Sequence, residues 1–352
     1  MKQKRGQEKS PIVPAKEKSL IMQPKEKSPV ISTKEKSPVV LTVILILLVG
    51  IFVFLIILLF KYLPGKPTDL NVTLHPPPQT TINLSYVVKQ FYPNMKFNSN
   101  SIYYKIAADC NSEKKQRMLA AFSELKTNIG IIKFYETQED ADIKVVCSEE
   151  SRSIEDIDED FFIAGEGGAK EVVQTGRYNV ITEGVILLYN TSRGVKCTWP
   201  NIELHELLHV FGFDHSLDQN SIMYPILQSC SQQLDNSVIE DLKKLYSQEN
   251  LADLYFLDVE GVKKGIYLDF NVTVKNSGTI DATNVMLSVM DGDSKIEDFD
   301  LGEIVFGGGV AYSVTNLKLK KRSAKEIKLV LDKDNLIGEL DENNNIAIIN
   351  FE

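Results

Sequence analysis

The eleven residues from His205 to His215 constrain this chain more than any other stretch, because they read H-E-x-x-H-x-x-G-x-x-H. On a helix, positions i and i+4 share a face, so His205 and His209 can hold one ion together. Glu206 lies one residue along, placed to reach a water on that ion without being a ligand. A third imidazole joins only if the helix stops and the chain doubles back. Gly212 is the residue type that permits φ > 0 at such a helix end. His215 then completes a three-histidine set with one position left for water, the arrangement of a catalytic zinc. The pattern claims three of the four histidines in the chain.

Eight residues beyond His215, Met223 stands in Ser221-Ile-Met-Tyr-Pro225. The motif and this methionine together resemble the metzincin metalloproteases, and the wording S-I-M-Y-P is most similar to the matrixin branch. The resemblance covers roughly Lys96 to Gln248. It implies an α/β (α+β) catalytic domain with a mixed sheet and an active-site helix, one catalytic Zn2+ and a polypeptide substrate. His205, His209 and His215 are then the ligands, Glu206 the catalytic general base, and Met223 the structural floor of the site. A cleft-side edge strand that pairs with extended substrate is also implied, comparable to the run Gly184 to Asn190. Tyr224 follows Met223 directly and is not a ligand. The chain departs from the family in two respects. No cysteine-switch motif stands upstream, and His75 is the single histidine outside the motif, so a second, histidine-rich zinc site is absent.

The rest of the chain places this domain. Residues 1–38 repeat Glu-Lys-Ser in a nine-residue period at Glu8, Glu17, Glu26 and Glu35, with ten Lys/Arg against four Glu. Such a composition cannot bury a core, so a disordered cytoplasmic tail is expected. Residues 39–60 are uncharged and almost wholly Val, Ile, Leu and Phe, 22 residues that suit a transmembrane helix. A signal peptide has a shorter apolar core and would not follow such a tail. The basic excess before the run puts the N-terminus inside. The expected topology is therefore single-pass type II in the cell membrane, with everything after Lys61 extracellular. The net charge of −9 conceals −15 beyond the tail, which argues against nucleic-acid partners.

The exterior part holds all four cysteines, Cys110, Cys147, Cys197 and Cys230, and four sequons at Asn71, Asn83, Asn190 and Asn271. Disulfides are permitted there. Of the three pairings four cysteines allow, Cys110 with Cys147 and Cys197 with Cys230 are favoured, the second bracketing the metal motif. A cysteine zinc site is the competing reading, weakened by the absence of C-x-x-C, and free buried thiols are a third. Residues 61–95, with Pro64, Pro67 and Pro76 to Pro78, read as a stiff extended spacer.

Within 96–250 the pattern is α/β. Strands are expected at Ser101 to Ala107, Ile131 to Tyr135 and Ile143 to Cys147. Helices are expected at Glu113 to Lys126 and Ser237 to Ser247. Matrixins carry calcium, and the acidic run Glu149 to Asp160 could offer Ca2+ a place. It lacks D-x-D-x-D-G spacing, so a solvated loop is preferred. Gly165-Glu-Gly-Gly168 reads as a flexible loop without the lysine of a phosphate loop.

Residues 251–352 change character, with alternating runs such as Phe270, Val272, Val274 and Val285, Leu287, Val289 between turn residues. They suggest an all-β, immunoglobulin-like sandwich. Val274-Lys-Asn-Ser-Gly-Thr and Glu339-Leu-Asp-Glu-Asn-Asn-Asn345 resemble the CARDB module, which implies a surface for a protein or glycan partner. The acidic, Asn-rich stretch reads as a turn supplying left-handed positions rather than a cation site. All expected catalytic groups precede Leu251. The whole reads as a membrane-anchored extracellular zinc endopeptidase. The alternative is a surface adhesion protein whose zinc domain is structural, and Glu206 counts against it.

Overall fold

The computed structural model describes residues 38–63, 65–77, 88–150, 152–153, 162–189, 197–227 and 229–351. The expectations for the tail before Pro38, for Asn83 and Asn190 and for most of the acidic run lie outside the described residues.

A long uncharged apolar run satisfies its backbone internally as a helix, and α1 spans Pro38–Tyr62, 25 residues. At 1.5 Å per residue it is about 37 Å long, enough to cross a hydrocarbon layer of about 30 Å. Its Val, Ile, Leu and Phe side chains are exposed all round, and it is a candidate membrane span.

The segment read as a spacer behaves otherwise. Strand β1 (Pro67–Thr73) joins the C-terminal sheet, because Leu70, Val72 and Leu74 are apolar at a two-residue period and pack against that core. At its far end, residues 88–95 pair with the turn after the motif helix. Gln90 bridges to Phe213, and Val88 is buried. The expectation of an extended linker over 61–95 is thus corrected at both ends.

The next elements are β2 (Met95–Phe97), β3 (Ser101–Ile106), α2 (Ser112–Ile129), β4 (Lys133–Glu136) and β5 (Ile143–Cys147). A two-strand ribbon follows, β6 (Arg152–Ser153) and β7 (Phe162–Ile163), then the hairpin β8 (Gly165–Gln174) and β9 (Asn179–Leu188). The order is β2-β9-β5-β3-β4, all parallel, with β8 antiparallel along the length of β9. Asn111 caps α2 by accepting from the Lys114 N–H at 2.9 Å. The helix buries Met118, Ala121, Phe122, Leu125 and Ile129, one stripe at helical spacing. That stripe shares a core with the sheet and with α3 (Asn201–Val210) and α4 (Asn236–Tyr246).

Two expectations are corrected here. Gly165 to Gly168 is not a loop but the start of β8. The run Gly184 to Asn190 is not the edge strand either. Its described part belongs to β9, held by β5 and β8, and the edges of this sheet are β8, beside the motif helix, and β4.

The C-terminal region is all-β: β10 (Leu254–Lys264), β11 (Tyr267–Asn276), β12 (Ala282–Asp291), β13 (Ser294–Ile304), β14 (Gly309–Lys318), β15 (Glu326–Leu331) and β16 (Ile346–Phe351). Their alternating apolar residues fill one core between the two faces. The strand path is β13-β12-β15-β16-β1-β10-β11-β14. Pro67–Asp69 of β1 pairs with β10, and Leu70–Thr73 pairs with β16, so one strand joins the two halves. The Asn-rich stretch forms a 3-10 turn at Glu342–Asn344, flanked by φ of −149° at Asp341 and −74° at Asn345. It supplies no left-handed position, which corrects that expectation.

Candidate metal centre

The motif helix α3 is short and almost wholly buried, so its position is set by packing rather than by propensity. Arg117 of α2 fixes the approach to it. Its guanidinium donates to Glu203 Oε1 at 2.9 Å, to the Cys197 carbonyl at 2.6 Å and to the Trp199 carbonyl at 3.1 Å. A planar fork with five N–H donors reaches acceptors spread along its edge, where an ammonium offers three donors from a single atom. The structure pairs Cys197 with Cys230 and Cys110 with Cys147 as disulfides, tying the entries of α3 and α4 together and α2 to β5.

The helix ends as the glycine requires. Gly212 has φ 85°; its N–H donates to the His209 carbonyl at 2.9 Å, and the Phe213 N–H donates to the Leu208 carbonyl at 3.1 Å. These are the two bonds of a Schellman stop. The segment 88–95 backs this turn: the Gln90 amide donates to the carbonyls of Met95 at 2.8 Å and Phe211 at 2.9 Å and accepts from the Met95 N–H at 3.0 Å.

The turn brings His215 back to the helix. The ligating nitrogens of His205, His209 and His215 lie within 4.8 Å of one another. His209 Nε2 is 3.0 Å from His205 Nε2 and 3.2 Å from His215 Nε2. The Nδ1 atoms of His205 and His209 face the carbonyls of Ile222 and Phe213, each at 2.7 Å. A carbonyl only accepts, so each Nδ1 carries the proton and leaves an Nε2 lone pair directed at the common point. Burial first, then the neighbouring imidazole of His209, pushes His205 down to about 3, and burial likewise lowers His209. Neutral imidazoles with converging lone pairs are the donor set a zinc ion takes.

Glu206 turns toward β8. Burial pushes its carboxyl up to about 8, against the hydrogen bond from the Gly167 backbone and with Glu166 and Glu203 adding repulsion. The helix and strand meet here without side chains between them. A methyl at Gly167 would overlap the Glu206 carbonyl oxygen, and one at Gly165 would lie 2.7 Å from Glu206 Cγ. Met223 is fully buried. Its carbonyl accepts from the Ser216 N–H at 2.8 Å and its N–H donates to Ser221 Oγ at 2.9 Å, so the methionine turn also holds the carbonyl that orients His205. The exposed ring of Phe91 stacks on His209, centroids 6.1 Å apart.

The three histidines and Glu206 of the motif are brought to one place, with Met223 in the adjoining turn. Arg117, Gln90, Phe91, Gly165 and Gly167 are additions that motif reading did not single out. Only the glycines had a signal, since a Gly run next to β-rich residues marks close approach of another backbone.

A Matrixin family model matches residues 96–247, and a CARDB model matches residues 252–348. No curated protein matches the chain. Among solved structures, the chain is similar to a CARDB domain from Pyrococcus furiosus, whose crystal structure is described as a complex with di-metal ions. Identity is 18%, covering 29% of this chain and 88% of that one, with a TM-score of 0.22. The solution structure of that domain matches at 19% identity, 29% and 95% coverage and a TM-score of 0.23. The Matrixin match supports a zinc metalloprotease. The chain thus carries a matrixin domain at residues 96–247 and a CARDB domain at residues 252–348, behind one N-terminal apolar helix.

Proposed function

We propose that this chain is a membrane-anchored zinc endopeptidase of metzincin type, acting outside the cell, with α1 as its single-pass type II anchor. The observation that carries the reading is the convergence of three Nε2 atoms beside a buried carboxyl on the same helix. His205, His209 and His215 would hold the metal. Zinc bound there would polarise a scissile carbonyl and acidify the attacking water. Glu206 takes the proton from that water and delivers it to the leaving amine. The unpaired outer edge of β8 offers backbone groups to an extended polypeptide substrate. Met223 and the Ile222 carbonyl keep the His205 ring in place. The CARDB domain offers a face to a surface protein or glycan.

One pair of substitutions tests this. Glu206→Gln keeps shape and hydrogen bonding but cannot accept the proton, so peptide hydrolysis should fall about 10²–10⁴-fold, with zinc stoichiometry and Tm nearly unchanged. His209→Ala should lower zinc affinity and, with it, the stability that metal binding lends the fold. A wild type that binds zinc yet hydrolyses no peptide in a broad library would favour the adhesion reading. Full activity in Glu206→Gln would refute the assigned base.

A further inference from the structure

The segment that follows α1 and the CARDB domain line a basic recess. Lys66, Thr68, Lys263, Arg322 and Phe351, with Gly65 and Gly265, line a cavity of about 210 Å³. Three of these residues are cations, and none is a carboxylate. Arg322 donates from Nη1 to the carbonyls of Phe60 at 2.6 Å and Leu63 at 3.2 Å, groups that a helix end leaves without partners. Its guanidinium lies 5.3 Å from the Phe60 ring centroid, and Lys318 Nζ lies 4.7 Å from that of Tyr62. Lys263 donates to the Ala324 carbonyl at 2.8 Å and sits 4.4 Å over Phe351. Burial and the charge of Arg322 both push the Lys263 ammonium down. Lys61, Lys320, Lys321 and Lys325 add exposed positive charge at the helix end and on the turn that carries Arg322. Like charges gathered around one cavity repel at a cost that a bound anion would remove.

Location decides which anion. On the reading of α1 as a membrane span, Tyr62 marks its exit. Lys66 is four residues on, no more than about 14 Å along an extended chain. Each polar layer of a bilayer is about 5–8 Å thick, and tyrosines such as Tyr62 favour that boundary. We propose that this recess binds the phosphate-bearing headgroup of an anionic phospholipid, so that the CARDB domain rests on the bilayer. The shared chemistry is a phosphate ester, and a soluble phosphate is the other source of it.

The test uses the full chain in nanodiscs of phosphatidylcholine alone or of equal parts phosphatidylcholine and phosphatidylglycerol, with bound lipid counted by native mass spectrometry. Wild type should retain phosphatidylglycerol several-fold over phosphatidylcholine. Lys66→Ser should weaken that retention about fivefold, the equivalent of about 1 kcal/mol per lysine near a charged surface, and Lys66→Arg should restore it. The basic tail precedes α1 and is unchanged in these variants, so its own attraction to anionic lipid cancels. Equal retention by wild type and Lys66→Ser would overturn the proposal. So would displacement of the lipid by glycerol 1-phosphate, which would assign the recess to a soluble ester. Alkaline extraction of the protein from membranes would instead sink the span on which the inference rests, leaving the protease reading untouched.

Discussion

Arg117 is the residue on which the entry to the motif helix depends. Glu203, its partner, has a side chain only 5% exposed. Arg117→Leu would strand that carboxylate and take the side-chain donor from the Cys197 carbonyl, while the Trp199 carbonyl keeps the Asn201 N–H at 2.9 Å. Breaking a largely buried pair costs about 3–5 kcal/mol, and calorimetry of the full chain in detergent should show a matching drop in Tm. Arg117→Lys should recover only part, since an ammonium lacks the fork. Glu339 in the CARDB domain gives a pH-dependent case. Burial pushes its carboxyl from 4.5 up to about 7, with Glu342 and Asp253 adding repulsion, against donors from Leu254 and Asn345. A carboxyl raised in the folded state contributes stability that is full below pH 4.5 and lost as pH rises through about 7. At about 1.4 kcal/mol per pH unit, the loss is roughly 3 kcal/mol. Unfolding of the β domain should shift to lower temperature across that window, and Glu339→Gln should flatten the slope. An unchanged slope in Glu339→Gln would assign the effect elsewhere.

At the scale of the element, the meeting of β8 with α3 sets the geometry around Glu206. Gly167 and Gly168 are neighbours in sequence but not in circumstance: a methyl at Gly167 strikes backbone, whereas one at Gly168 meets nothing within 4 Å. Gly167→Ala should cost about 1–3 kcal/mol through overpacking and most of the hydrolytic activity, while Gly168→Ala should be nearly silent in both assays. Similar effects of the two would show that β8 does not hold Glu206. This contact also marks the limit of what the sequence discloses. The clustering of the three histidines was legible because metal geometry fixes both residue type and spacing, and α2 and β11 were legible because each buries one face at a regular period. The role of Gly165 to Gly168 was hidden because glycine signals a loop and a close approach alike. Strand β1 was hidden because its partners lie at the other end of the chain, and prolines around it imitate a spacer. Arg117 looked like one charge among several on an amphipathic helix.

At the scale of the whole molecule, the matrixin and CARDB domains are joined through the tip of the β8–β9 hairpin. Thr175 donates to the Ser277 carbonyl at 2.9 Å. Arg177 meets Asp253 at 3.2 Å, their side chains 8% and 0% exposed. All expected catalytic groups precede Leu251, yet a cut there bares this buried junction. The start of a fragment matters equally, because Gln90 lies outside 96–250. Residues 88–250 should melt below the full chain, and residues 96–250 lower still, having lost the Gln90 bond to Phe211, the backbone bonds of Lys89 and Phe91 to the turn, each worth about 1 kcal/mol, and the buried Val88 and Met95. Equal melting of the two fragments would show that residues 88–95 contribute nothing. The place of β1 has a consequence for how the protein is made. The Leu70–Thr73 half of the first strand after α1 has β16 as its neighbour, so during synthesis that half waits, unpaired, until the whole intervening chain has emerged, while Pro67–Asp69 can meet β10 earlier. Bringing the ends of a long flexible loop together costs entropy that grows with its length. Once the matrixin domain has folded, Val88 and Tyr246 belong to one body, and the distance left to close is spanned by short flanking segments. The protease is in effect a folded insertion in its own platform, and its prior folding lets the platform close quickly behind it.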